Sequence, residues 1–69
     1  MAESVYRVTQ VIGTSPDSWE AGTKNAVETA AKTLRDLRVG EVVKFDVTID
    51  DGKVTNYRAR VDVSFKYEG

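Results

Sequence analysis

Residues 43–63 read VKFDVTIDDGKVTNYRARVDV. Two stretches with a period of two flank the dipeptide Asp51-Gly52, and that arrangement decides the fold. Asp-Gly suits a tight turn with positive φ, so the flanking runs are expected to pair as an antiparallel hairpin. Asp50 and Asp51 beside a glycine also suggest a calcium loop, but the other EF-hand ligand positions are missing and turn chemistry is the better reading. After the turn, Tyr57, Ala59, Val61, Val63, Phe65 and Tyr67 alternate with Asn56, Arg58, Arg60, Asp62, Ser64 and Lys66. Before it, Val39, Val43, Phe45, Val47 and Ile49 fall on one face, and Arg38, Lys44, Asp46 and Thr48 on the other. Val42 breaks that alternation, and Gly40 suggests a bulge or a close backbone approach near the strand start.

Upstream, SVYRVTQVI is rich in β-branched residues and predicts a strand over about residues 4–13, with Tyr6, Val8 and Ile12 on one face. GTSPDSWEAG then stops the strand and starts a helix. Ser15 is the expected N-cap, with Pro16 at the first helical position and Asp17 and Glu20 matching the dipole in the first turn. Trp19, Thr23, Ala26, Val27, Ala30, Leu34 and Leu37 recur at helical spacing, which predicts a helix to about Leu37 with Trp19 as a core residue. Glu20, Lys24, Glu28 and Lys32 form the solvated side. The fold class is therefore α+β: one domain over residues 1–69, ordered β-α-β-β, with a three-stranded antiparallel sheet packed on one long helix. The far sheet face, with Arg58, Arg60, Asp62 and Lys66, is a solvated surface in a monomer or a polar interface in an oligomer. Open sheet edges lean toward self-association.

Composition narrows function mainly by exclusion. A chain of 69 residues hides only about 60% of the surface it exposes when unfolded, so its own core is marginal. The absence of Cys removes disulfides, thiol nucleophiles and thiolate zinc sites. The absence of His removes the commonest transition-metal ligand and the usual neutral-pH acid–base group. Ten basic and eleven acidic residues lack the surplus of positive charge that nucleic acid requires. The glycines at 13, 22, 40, 52 and 69 form no phosphate loop. No run is long and apolar enough for a membrane span, and MAESVYRV has no signal-peptide core, so a cytoplasmic location is expected. No nucleophile-and-base constellation is readable, so catalysis is not expected.

Three stretches together resemble the dodecin family: YRVTQVIGTSPDSWEAG at 6–22, AAKTLRDLRVGEV at 30–42 and GKVTNYRARVDVSFKYE at 52–68. The resemblance implies a β-α-β-β subunit of a hollow spherical homododecamer that stores or scavenges flavin, riboflavin or FMN, between subunits without catalysing a reaction. It places the flavin site at Val39, Gly40, Asp46 and Arg58. All but Gly40 stand where typical members differ: Val39 for the stacking Trp, Arg58 for the Gln that bonds the ring edge, Asp46 for a basic residue. Arg58, after Tyr57, is expected either to donate to flavin carbonyl oxygens or to pair with Asp62 or a neighbouring subunit. TSPDSWE, RV after the helix and VSFK are similar to a subgroup that lacks the Trp and includes a calcium-binding member. That similarity implies an alternative: a flavin-poor shell binding calcium, magnesium or another hard cation through Asp17, Glu41 and Asp46, since hard cations choose oxygen ligands. A purely structural oligomer is the third expectation.

Overall fold

The computed structural model describes residues 4–66. Strand β1 (Tyr6–Ser15) leads to helix α1 (Trp19–Ala30), then β2 (Leu37–Asp50) and β3 (Lys53–Lys66). The sheet order is β1-β3-β2, with both neighbours antiparallel to the central β3. The hairpin turn is where Asp51-Gly52 places it, with φ of 52° and 74° at these residues. Tyr67, predicted to extend the last alternation, lies outside the described residues.

The helix lies over β1 and β3. Ala26, Ala59, Val61 and Val63 form its buried centre, flanked by the partly buried Val11, Val27, Leu34, Leu37 and Val42. Gly13 makes this approach possible, and β1 runs on past it. A Cβ at Gly13 would collide with the Gly22 carbonyl oxygen and stand 2.7 Å from the Ala26 Cβ. Only a residue without a side chain fits between strand and helix there.

The helix is shorter than its apolar spacing predicts. It opens at Ser18, whose hydroxyl accepts from the Ala21 N–H, and not at Ser15. Ser15 is buried as the last residue of β1, and its Oγ accepts from the Asp17 N–H instead. At the other end the chain leaves the helix after Ala30 through i→i+3 bonds from Lys32 to Thr29 and from Thr33 to Ala30. Asp36, at φ 58°, then turns it into β2. Leu34 and Leu37 still reach the core, one from the turn and one from the strand. A turn followed by a strand satisfies the same apolar spacing as one more helical stretch.

The sheet faces also differ from the simple alternation. The β2–β3 register shifts at Leu37/Val39 and Val42/Lys44, where β2 holds the extra residue, and at Thr48/Ile49, where β3 holds it. Each extra residue moves the following side chains to the other face. Val42 therefore stands opposite Val61 on the helix side, while Val39 and Glu41 join Lys44, Asp46 and Thr48 on the open side. Tyr6, Val8 and Ile12 do share a face, but it is the open one. Trp19 is 39% exposed and so is not a core residue. It caps the end of the core, with its ring 5.0 Å from Tyr57 and 5.6 Å from Phe45.

The molecule measures 55 × 20 × 16 Å. Its radius of gyration is 14.2 Å, where a compact chain of this length would have about 11 Å. The elongation follows from element lengths. A 12-residue helix covers about 18 Å, while 14-residue strands reach about 46 Å. The hairpin outruns the helix, and Ile49 and Val54 near its tip are exposed.

Candidate functional site

The open sheet face collects most of the residues expected to bind a ligand. Across the three strands its side chains fall into rows. Val8, Ser64 and Val39 form one; Gln10, Asp62 and Glu41 the next. Ile12, Arg60 and Lys44 follow, then Thr14, Arg58 and Asp46.

Asp46 and Arg58 are bonded to each other. Arg58 donates from Nε to Oδ1 at 2.7 Å and from Nη2 to Oδ2 at 2.9 Å. Such a two-point charge-assisted bond fixes both side chains. The Arg58 hydrogen bond holds the Asp46 carboxyl below the ordinary value of 3.8, against an opposing effect of burial and with help from the charges of Arg58, Arg60 and Lys44. The same bond raises the Arg58 guanidinium. The Asp46 backbone is also held, because the Trp19 indole N–H donates to its carbonyl at 3.1 Å. The partner expected for Arg58 within this chain, Asp62, is not the one found: Asp62 accepts from Gln10 Nε2 at 2.8 Å instead.

The remaining candidates are dispersed. Val39 is 60% exposed on the open face, opposite Ser64. Six strand residues, about 20 Å, separate that row from the Arg58 row. Gly40 faces the other way: a Cβ there would meet Val27 and Val61 at 3.5 Å, on the helix side. Glu41 is exposed opposite Asp62, and Asp17 sits in the connection between β1 and α1. Among the described residues no three acidic, His or Cys side chains group closely enough to hold a metal ion. One chain thus joins Asp46 to Arg58 and leaves Val39, Gly40, Asp17 and Glu41 apart. A groove of about 590 Å³ between the β1 edge and the helix, lined by Ile12, Asn25, Thr29 and Thr33 among others, has no charged residue and lies off this face.

Three features escaped the sequence reading. The Trp19–Asp46 bond joins residues 27 apart in the chain and leaves no local signal. Arg60 has a buried Nε with no hydrogen-bond partner. Lys44 stands directly opposite it, which the alternation would reveal only with the strand register known.

The family model for dodecin matches residues 5–68. A protein named calcium dodecin, from Mycobacterium tuberculosis, is 47% identical over 64 residues, covering 91% of this chain and 89% of the relative. A solved dodecin from Streptomyces coelicolor superposes with a TM-score of 0.91 at 39% identity, covering 100% of this chain and 99% of the other. The crystal structure of the Mycobacterium tuberculosis calcium dodecin, described as calcium chelating with a novel calcium-binding site, gives a TM-score of 0.82 at 44% identity, covering 94% and 93%. The chain belongs to the dodecin family, whose members are small, non-enzymatic homo-oligomers. Among the described residues no helix is long and apolar enough to cross a membrane.

Proposed function

We propose that the chain is a cytoplasmic flavin-binding subunit that works as a homododecamer and takes riboflavin or FMN in pockets between copies, without catalysis. The observation that carries this reading is the spacing on the open face. Val39 and Arg58 share that face, yet lie about 20 Å apart in one chain. A pocket that uses both must draw them from different copies.

The residues present suit a flat ligand with a polar edge. Val39 and Val8 form an exposed apolar ledge in one row. Arg58 commits two N–H groups to Asp46 and keeps others to donate. The Asp46 carboxylate retains acceptor capacity for an imide N–H. Without an aromatic face at Val39, stacking is weaker by about 1–3 kcal/mol per ring. Riboflavin titrated into the purified protein is expected to lose fluorescence at a fixed ratio to subunits. Val39→Trp is expected to tighten that binding roughly tenfold, the equivalent of about 1.4 kcal/mol. Unchanged or weaker affinity in the variant would place the pocket elsewhere.

The alternative cation reading has its own observation. Glu41 and Asp62 stand opposite each other with the Gln10 amide bonded to Asp62, so oxygen ligands from three strands share one row. The 47% identity to a relative named calcium dodecin adds to it. A melting temperature that rises with calcium while riboflavin fluorescence stays constant would favour this reading over flavin.

A further inference from the structure

We infer that Lys44 and Arg60 together form a binding site for a phosphate group, which sits between the ammonium of one and the guanidinium of the other. The site goes beyond the flavin reading, since it takes phosphate whether or not a ring lies beside it. Free inorganic phosphate and the phosphoryl group of FMN offer the same chemistry.

Two neighbouring rows of the open face carry the argument. In the first, β3 presents Arg58 and β2 supplies Asp46 opposite it, so the guanidinium finds its anion within the chain at 2.7 Å and 2.9 Å. In the next, β3 presents Arg60, and β2 places a second cation, Lys44, where the carboxylate would stand. Like charges directly opposite on neighbouring strands destabilise a sheet. Among the described residues neither Lys44 nor Arg60 has an ion-pair partner. Arg60 also keeps its Nε buried with no hydrogen-bond partner. A buried donor left unpaired is costly. A guanidinium that turns toward an anion beside Lys44 removes that cost and the repulsion together. One phosphate offers oxygen acceptors to both side chains, and charge-assisted bonds of this kind are the strong ones.

The surroundings favour negative charge. The Asp46 carboxyl, lowered first by its hydrogen bond to Arg58, also responds to the charges of Arg60 and Lys44, so both cations act at this part of the face. Asp46 itself is committed to Arg58. The acidic row of Glu41 and Asp62 lies about 7 Å away along the strands, and Asp62 is bonded to Gln10. An anion in contact with both cations at about 3 Å feels each of them roughly twice as strongly as a carboxylate at that distance. Attraction therefore prevails. Ile12, third in the row and 46% exposed, bounds the site with an apolar wall.

Lys44 is exposed, so its substitution leaves the core intact and it carries the test. Inorganic phosphate at millimolar concentration is expected to raise the melting temperature of the wild-type protein more than that of Lys44→Gln. Phosphate also stabilises folded proteins generally by exclusion from their surface, so the difference between the two proteins is the readout. By calorimetric titration Lys44→Gln is expected to bind phosphate about tenfold more weakly, the loss of one charged donor, and Lys44→Arg to retain binding. Equal melting shifts and equal affinities in wild type and Lys44→Gln overturn the site.

Flavin fluorescence then separates the two sources. Tighter binding of FMN than of riboflavin, lost in Lys44→Gln and competed by inorganic phosphate, assigns the site to the flavin's phosphoryl group. Equal binding of both flavins beside a Lys44-dependent phosphate shift assigns it to the free ion. That shift with no quenching of either flavin leaves the site standing and removes the flavin reading. Equal quenching of both flavins with no Lys44-dependent phosphate effect removes the site and leaves the flavin.

Discussion

The two faces of the sheet are built from the same strands, residue by residue in alternation, and they are opposite in character. Toward the helix, β3 presents Ala59, Val61 and Val63, each no more than 1% exposed. Toward the open side it presents Arg58, Arg60 and Asp62. The helix side closes its centre within one chain, where small residues let strand and helix touch, while Phe45 beyond the helix stays 53% exposed. The open side is incomplete, with a buried donor unpaired and like charges abreast. Stability therefore lives on one face, and binding is expected on the other. That division explains how a short chain carries a site at all. The helix covers one end of the sheet and leaves the rest for contact.

The sharpest way to break this comparison uses consecutive residues. Gly13→Val puts a side chain into the space held by the Gly22 carbonyl and Ala26, and is expected to lower stability by about 3 kcal/mol. Thr14→Val, the next residue and on the open side, is expected to change it by less than about 0.5 kcal/mol. Urea denaturation of both variants tests the pair, and equal losses would refute the division of faces. A smaller effect tests the observed start of the helix. Ser18→Ala removes the hydroxyl that caps the Ala21 N–H and is expected to cost about 1 kcal/mol. For a domain of this size that is a drop of about 4–8 °C in melting temperature.

The smallest effect concerns pH. The Asp46 carboxyl titrates lower in the folded chain than its ordinary 3.8. A group with a depressed folded pKa stabilises the fold above its unfolded value and loses that contribution as pH falls through the folded one. The contribution of the Asp46–Arg58 pair is therefore complete at neutral pH and fades below about pH 4. Asp46→Asn is expected to lose a modest stability increment at pH 7 and to flatten the acid limb of the melting curve. Since the pair is partly exposed, with side chains 34% and 36% accessible, salt is expected to weaken it further.

Much of the fold was legible in residues 43–63, because a hairpin needs only local signals: alternation on either side and a turn that accepts positive φ. The family was legible as well, from stretches that cover nearly the whole chain. The length of the helix was not. Ala30, Leu34 and Leu37 keep helical spacing although the last two are reached through a turn and a strand. The side of Val39 was also out of reach, because bulges in β2 change face without changing composition. Among the candidate residues, Asp46 and Arg58 were named from a family pattern, but their bond to each other was not foreseen. Twelve positions separate them in the chain, and only the strand register puts them abreast.

The sequence alone determined the element order, the turn, and the lack of thiol and imidazole chemistry, since these depend on neighbours along the chain or on composition. Tertiary structure decided which face each side chain took and which charges found partners. Those outcomes depend on register and bulges, where a shift of one residue reverses inside and outside.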